Sequence, residues 1–347
     1  MTSEAKVNNV YLLGAGFDRA VFDEKAPLNN KLLDKLKKFA KNKIVSDKFN
    51  EYLTKYRTEN IEEFLTCLDI QILRENGKDK DEIKLFREKF NSLIAEYFAQ
   101  FRFNESIVKE KSWLGRFVTH ILAQNNVIVD LNYTTFTAAL LDYYEVWSPN
   151  GGYSEFIGNT AIKCRDKIHK NEDIKNILLH KIHGCENFRL CNYLKSSETY
   201  IGVEINSKFC PKTSQRYGAY DEGLHAKPYV IAPSYIKIPH EQIERLIIDT
   251  IEKMDIAKNL IIIGCGLRPE DSVLWLMLSS FFKKVYTRSM EKKITIVDPE
   301  ANFIGERIEK HFGSMIWDFF TPDNFIKISK KLNDESIDEL KMILKSE

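Results

Sequence analysis

Residues 9–18 read NVYLLGAGFD, a short apolar run followed by two closely spaced glycines. A continuous apolar run of this kind is typical of a strand buried on both faces of a parallel sheet. Glycines directly after such a strand permit a tight turn into a helix, and the free amide hydrogens at that helix start attract phosphate. The stretch therefore predicts the first strand and the nucleotide-facing turn of a doubly wound α/β fold.

Further apolar runs predict the partners of this first strand. They cover residues 127–131, 177–182, 229–232, 260–263 and 294–297. Segments with helical spacing separate most of these runs, as in folds that alternate strand and helix. We therefore predict an α/β protein with a doubly wound, Rossmann-like parallel sheet of about six strands.

Residues 28–125 carry helical spacing and hardly any strand signal. Because a crossover between parallel strands needs only about a dozen residues, this surplus predicts a large helical insertion. Its periodic stretches are residues 28–41, 61–74, 81–101 and 111–124. The predicted domains are a nucleotide-binding domain of residues 1–27 and 126–320, the inserted helical module of residues 28–125, and C-terminal helices in residues 321–347. Two stretches, 323–332 and 336–344, predict those last helices.

The amino-acid composition makes some classes of binding partner, such as nucleic acid and membranes, unfavourable. Lys and Arg total 51 against 50 Asp and Glu, so no overall field favours direct binding of nucleic acid or anionic lipid. The apolar run at residues 260–263 is far too short to cross a bilayer, so we expect no membrane insertion. The six cysteines are scattered and no apolar leader precedes the first strand, which favours a reducing, cytoplasmic location.

Polar residues follow the second and third predicted strands where each strand ends. Asn132 and Tyr133 follow the second, and His183 and Gly184 follow the third. The carboxyl ends of parallel strands meet at one edge, where doubly wound folds bind ligands. Taken singly, Asn132 is equally consistent with a helix cap and His183 with a hydrogen-bonded packing residue. The presence of both residues at the same edge as the glycine-rich turn favours a ligand-binding site.

An amide and an imidazole suit cleavage of the bond between nicotinamide and ribose in NAD. The nicotinamide leaves as a neutral molecule, so no strong general acid is needed, whereas the oxocarbenium-like ribose must be held and met by a nucleophile. Asn132 offers a donor and an acceptor to a ribose hydroxyl or a water. His183, with an ordinary pKa near 6.5, suits a base toward that hydroxyl or water.

A second glycine-rich strand exit, Gly264-Cys265-Gly266, is followed by Asp271, and Asp298 stands at the end of a later strand. We expect these residues to contact the phosphates or a ribose from the other half of the sheet, although simple tight turns explain them equally well. Arg19 occupies the third glycine position of the dehydrogenase fingerprint, which disfavours hydride transfer.

Several of these motifs, in this order, resemble the sirtuin-like superfamily and, within it, bacterial defence proteins. The motifs are Gly14-Ala15-Gly16-Phe17, Pro27-Leu28, Asn132-Tyr133, Ile182-His183-Gly184, Pro233-Ser234 and Gly264-Cys265-Gly266-Leu267 with Asp271. Asp18 stands where that superfamily has serine, and Thr134 where it has aspartate. Both of these residues are similar to the abortive-infection family H, an anti-phage group of related fold.

The resemblance implies hydrolysis of NAD, as substrate and without a metal, in a phage-infected cell. It implies that Asn132 and His183 are the catalytic pair. It also implies that Ala15, Gly16, Phe17 and Asp18 line the NAD pocket. We further expect contacts with NAD from the other residues of the glycine turns and strand ends, namely Gly14, Tyr133, Thr134, Gly264, Cys265, Gly266, Asp271 and Asp298. Because an active NAD hydrolase kills its host, we expect restraint through a homo-oligomer or a separately encoded partner such as a HerA-type ATPase.

Two other functions remain open at this point. An NAD-dependent protein deacylase of this superfamily carries two close cysteine pairs that hold zinc, and Cys185, Cys191 and Cys210 form no such pair. A binding module that senses NAD or ADP-ribose without hydrolysing it requires no base such as His183.

Overall fold

The computed structural model describes residues 7–40, 46–122, 126–147, 152–154, 156–157, 177–192, 199–203, 227–236, 239–269, 271–287 and 291–345. These residues contain a six-stranded sheet and a three-stranded sheet. The strands are β1 (Asn9–Leu13), β2 (Asn126–Asp130), β3 (Ile177–His180), β4 (Gly184–Asn192), β5 (Thr199–Val203), β6 (Lys227–Val230), β7 (Asn259–Ile263), β8 (Lys293–Val297) and β9 (Phe325–Ile328).

The large sheet has the order β3-β2-β1-β7-β8-β9, and every pairing within it is parallel. Counted along the chain, its strands lie in the order 3-2-1-4-5-6, which is that of dinucleotide-binding doubly wound folds. The predicted α/β class and the parallel six-stranded sheet are confirmed. Strands β1, β2 and β7 are almost wholly buried, as strands covered by helices on both faces must be.

One predicted member of the large sheet belongs to the small one. The run at residues 229–232 overlaps β6, which pairs antiparallel with β4, and β4 pairs antiparallel with β5. The small sheet has the order β5-β4-β6. The prediction was wrong here because a short apolar run carries no information about its partner strand.

The sixth strand of the large sheet, β9, lies where the sequence predicts a helix over residues 323–332. It is an edge strand beside β8, with Phe325 and Ile328 buried and the two residues between them half-buried. Lys327 reaches Glu309 across 2.6 Å. The helix prediction was wrong because a partly covered edge strand carries charges among its apolar residues and so imitates an amphipathic helix.

The helices fill the connections and cover the sheet. They are α1 (Ala15–Phe22), α2 (Asn29–Ala40), α3 (Ser46–Tyr56), α4 (Ile61–Arg74), α5 (Gly77–Phe98), α6 (Glu105–Glu110), α7 (Trp113–Arg116), α8 (Phe136–Tyr143), α9 (Glu241–Ile256), α10 (Ser272–Tyr286), α11 (Ala301–Ile316) and α12 (Asp334–Lys345). Within the described residues, no helix is long and apolar enough to cross a membrane.

Helices α2–α5 have a hydrophobic core of their own, distinct from the core of the large sheet. Its centre is aromatic: the Phe49 ring lies 5.5 Å from Phe64 and 5.0 Å from Phe90, measured between centroids. The same core includes Tyr133, from the loop after β2, and Val230, at the end of β6. The inserted helices are therefore packed onto the loops at the carboxyl edge of the sheet.

Candidate functional site

The glycine-rich turns after β1 and β7 touch at the point where the strand order reverses direction. The amide of Gly14 donates to the carbonyl of Ile263 at 3.0 Å, and the amide of Gly16 donates to the carbonyl of Gly264 at 2.8 Å. In doubly wound sheets the ligand crevice lies at this switch point, outside the carboxyl ends of the strands. The two turns thus form one backbone floor for the candidate site.

Close backbone approach explains these glycines. A Cβ atom on Gly14 or Gly16 would lie 2.6 Å from backbone atoms of Cys265 or Gly264, and Gly264 itself has a φ of +58°. Because the amide of Gly16 donates its hydrogen bond to Gly264, it is not available to a phosphate. Gly266 is exposed, with no atom within 4 Å of an added Cβ. The first two glycines therefore serve loop contact, while Gly266 borders open space.

Asn132 and His183 emerge side by side at this edge. Strands β2 and β3 are parallel neighbours in which Val129 lies opposite His180. Asn132 follows Val129 by three positions and His183 follows His180 by three, so both loops leave the sheet at the same level. The convergence that the sequence predicts for the two strand ends is therefore present in the backbone.

A buried ion pair ties the two loops together, and sequence reasoning missed it. The Lys181 ammonium donates to Asp130 Oδ2 at 2.7 Å and to the carbonyls of Asn132 at 2.8 Å and Thr134 at 2.7 Å. Both charged side chains are fully buried. Burial has the largest single effect and lowers the pKa of Lys181, but the negative groups around it, Asp130 first, together outweigh burial and hold that pKa above its ordinary value. Lys181 therefore stays charged and fixes the loop that carries Asn132.

Two buried polar atoms at this edge have no hydrogen-bond partner among the described residues. They are Nδ2 of Asn132, a donor, and Oδ1 of Asp18, an acceptor. Leaving such a group unsatisfied costs about 1–3 kcal/mol, and each one in a native protein calls for an explanation. A ligand hydroxyl both donates and accepts, so a ribose hydroxyl is suited to either atom.

The two residues that depart from the sirtuin-like pattern contact each other. The Thr134 hydroxyl donates to Asp18 Oδ2 at 2.9 Å, and both side chains are buried. This hydrogen bond joins the loop after β2 to the first turn of α1.

His183 is placed between Tyr133 and Asp271. Its Nε2 lies 3.6 Å from Asp271 Oδ2, and its ring is stacked near the Tyr133 ring at a centroid distance of 6.5 Å. The Tyr133 hydroxyl donates to the carbonyl of Ile231 at 2.8 Å. A separation of 3.6 Å is too long for a hydrogen bond between these two atoms, so Asp271 places a carboxylate beside the imidazole without being bonded to Nε2 through that oxygen.

The other predicted site residues are half-buried in a turn, buried in the core, or bonded within their own turn. Ala15 is half-buried in the turn after β1. The side chain of Phe17 lies in the core, with its ring 6.0 Å from Trp113, and Cys265 is also buried. Asp298 accepts from the amide of Glu300 at 2.8 Å and so stabilises its own turn. The backbone of Phe17 and Cys265, and not their side chains, lies at the candidate site.

The inserted helices reach this edge through polar contacts as well. Arg268 Nη1, in the loop after β7, lies 2.9 Å and 2.8 Å from the two carboxylate oxygens of Glu62, in the first turn of α4. The amide of Tyr235 donates to the Thr66 hydroxyl of α4 at 2.9 Å. Helix α4 is thereby pinned beside the candidate site. Nothing in the local sequence links Glu62 to Arg268, since the pair is distant along the chain.

No group of three or more His, Cys, Asp or Glu side chains with metal-binding geometry occurs in the part of the chain that the structure describes. Cys185 is buried and its Sγ donates to Asn187 Oδ1 at 2.8 Å. Burial raises the pKa of the Cys185 thiol to about 12, so in the absence of a metal the thiol is protonated at neutral pH. Cys210 lies outside the described residues, as does the side chain of Cys191.

The strand order and the polar loops define a Rossmann-like α/β protein whose candidate site lies at the switch point of its sheet. No known family profile matches the sequence, and no curated protein matches it. Among solved structures, the chain is similar to a triple mutant of a Sir2 homologue in complex with 2'-O-acetyl ADP ribose. The TM-score is 0.42 and the sequence identity 11%, over 98% of this chain and 92% of that chain.

Proposed function

We propose that the protein is an NAD hydrolase that releases nicotinamide and ADP-ribose, with Asn132 and His183 as its catalytic pair. The observation that carries the proposal is the presence of two unsatisfied buried atoms, the Asn132 donor and the Asp18 acceptor, at the edge where doubly wound folds bind dinucleotides. A ribose hydroxyl both donates and accepts, so it suits either atom.

The residues divide the work of the reaction. Water attacks C1′ of the nicotinamide ribose, the bond from C1′ to the ring nitrogen breaks, and its electron pair leaves with neutral nicotinamide. Asn132 holds a ribose hydroxyl in place as positive charge develops on the sugar. His183, which lies beside Asp271, acts as base toward a ribose hydroxyl or the incoming water.

Substrate binding requires the edge to open. The Nδ2 atom of Asn132 and Oδ1 of Asp18 are enclosed by protein in this conformation. The elements that we expect to move are the inserted helices, which are packed on Tyr133 and pinned at Arg268. Such a closed resting state agrees with the restraint that a toxic activity needs.

Release of nicotinamide from NAD by the purified protein tests the proposal directly. We expect Asn132→Ala and His183→Ala each to lose at least about 100-fold in turnover, the usual contribution of a positioned acid or base. His120→Ala, which alters an exposed histidine, is the matched control and should retain wild-type turnover. Wild-type turnover by either site variant, confirmed as folded by circular dichroism, would show that its residue is wrongly assigned.

The same assay separates the alternative functions. Release of nicotinamide without any peptide supports the hydrolase, whereas release only in the presence of an acylated peptide supports the deacylase. Binding of NAD or ADP-ribose without release supports the sensing module. We further propose that hydrolysis serves abortive infection, in which loss of cellular NAD stops phage replication.

A further inference from the structure

The Asp18 carboxyl is the most unusual ionisable group near the candidate site. It lies in the first turn of α1 and is only 3% exposed. One oxygen, Oδ2, accepts from Thr134 at 2.9 Å, and the other, Oδ1, has no partner among the described residues. A structural carboxylate in a protein interior normally has both oxygens satisfied. The arrangement therefore leaves one oxygen available to a reactant.

Charged groups on neighbouring elements act on Asp18. Asp130, at the end of β2, is a second carboxylate, and Lys181, after β3, is the ammonium between the two loops. Lys181 Nζ bonds to Asp130 and to two backbone carbonyls, so its donors are committed elsewhere. Burial, and then the charge of Asp130, raise the pKa of Asp18 to about 7, against smaller opposing effects of Lys181 and Thr134. Near neutral pH the carboxyl both gains and loses a proton readily.

We propose that Asp18 is a further catalytic residue, whose unpartnered Oδ1 takes the proton of the attacking water. The inference rests on the proposed NAD hydrolysis. As the water oxygen bonds to C1′ and nicotinamide departs with the electron pair of the broken bond, the water proton moves to Oδ1. The proton then passes to solvent, so that NAD and water give ADP-ribose, nicotinamide and one proton. His183 is left to hold the ribose hydroxyl.

The dependence of kcat/KM on pH tests this assignment. Because Asp18 must be ionised to accept a proton, kcat/KM should rise with pH through about 7 and then level off. We call this rise the limb of the pH profile. An imidazole base would give a limb at a similar pH. The two groups differ in their heat of ionisation, which is near zero for a carboxyl and strongly positive for an imidazole. We expect the midpoint of the limb to stay constant between 10 and 35 °C, a range chosen as roughly that of native stability.

Three variants sharpen the test. Asp18→Asn keeps an acceptor for Thr134 and should lose about 100- to 10,000-fold in kcat/KM, together with the limb. Thr134→Val removes the hydrogen bond that favours the ionised form, so the limb should shift to higher pH. His183→Gln should lower the rate but retain the limb. Melting temperatures verify that each variant is folded. If Asp18→Asn fails to fold, the shift of the limb in Thr134→Val still tests the assignment.

The outcomes separate this inference from the function on which it rests. If wild-type protein releases no nicotinamide, the hydrolase proposal and the role of Asp18 both fall. If it does release nicotinamide, a limb that persists in Asp18→Asn, or that disappears in His183→Gln, overturns the role of Asp18 alone. A midpoint that falls steeply on warming would likewise assign the limb to an imidazole.

Discussion

Lys181 organises the candidate site without facing a substrate. It satisfies the carbonyls of Asn132 and Thr134 and neutralises Asp130. Removing one partner of a buried ion pair leaves the other charge uncompensated, at a cost of about 3–5 kcal/mol. We therefore expect Lys181→Met to lower the free energy of unfolding by about that amount, measured by denaturation in urea, and to abolish nicotinamide release.

A double variant separates charge from loop position. Asp130→Asn combined with Lys181→Met removes both charges and keeps the oxygen that accepts from the amide of Asn132 at 2.9 Å. Much of the lost stability should return, because no charge stays buried alone, whereas turnover should not, because the loop carbonyls still lack their donor. A double variant as unstable as Lys181→Met would contradict the role given to the charge.

The sequence predicted which loops form the candidate site but not what holds them. Asn132 and His183 were found because each follows an apolar run at a strand end. Lys181 and Asp130 were missed because a charged residue beside an apolar run is usually exposed. A usable signal exists in the register: with Val129 opposite His180, the next pair is Asp130 and Lys181, two opposite charges on adjacent strands.

Among the secondary-structure elements, the buried strands were predicted correctly and the partly exposed strands were not. Strands β1, β2, β7 and β8 lie inside the sheet and show as apolar runs, so the sequence locates them within one or two residues. Strand β4 has no regular alternation of apolar and polar residues and has an irregular register against β6, so its sequence does not indicate a strand. The predicted domain boundaries at residues 27, 125 and 320 remain predictions, although helices α2–α5 do share one core.

The contact between α4 and the loop after β7 makes a prediction at this scale. Glu62→Gln removes the charge that holds Arg268, and because Arg268 is partly exposed we expect a loss of only about 1–2 kcal/mol. Loosening α4 should favour the open edge. Hydrogen exchange should therefore accelerate in residues 61–74 and 264–269, and the KM for NAD should fall.

Glu63→Gln is the matched control for this change. Glu63 neighbours Glu62 on the same helix and has the same charge, but its carboxylate accepts from the nearby Thr58 hydroxyl, at 2.6 Å, and not from Arg268. Exchange near Arg268 should be unaltered in this variant. If Glu62→Gln leaves both exchange and KM at wild-type values, the contact is a static link, and the inserted helices do not gate the edge.

At the scale of the whole molecule, the proposed hydrolysis of NAD must be restrained if the cell is to survive. A closed edge restrains one chain, and we propose that a homo-oligomer or a separately encoded partner such as a HerA-type ATPase completes the restraint. Mass photometry of the purified protein, run beside the NAD assay, measures both properties on one sample. If the restraint is a homo-oligomer, we expect a mass of two or more chains of 40.5 kDa each, with low turnover. A monomer that consumes NAD unaided would refute the need for a partner.

The same restraint predicts the behaviour of infected cells. Cells producing the wild-type protein should keep their NAD until phage infection, then lose it and yield fewer phage. Cells producing His183→Ala should keep their NAD and yield phage normally, because one residue of the proposed catalytic pair is missing. His120→Ala should behave as wild type, since that residue is exposed and precedes the amino end of β2, whereas the site lies at the carboxyl ends of the strands. Phage restriction with unchanged NAD would separate defence from hydrolysis.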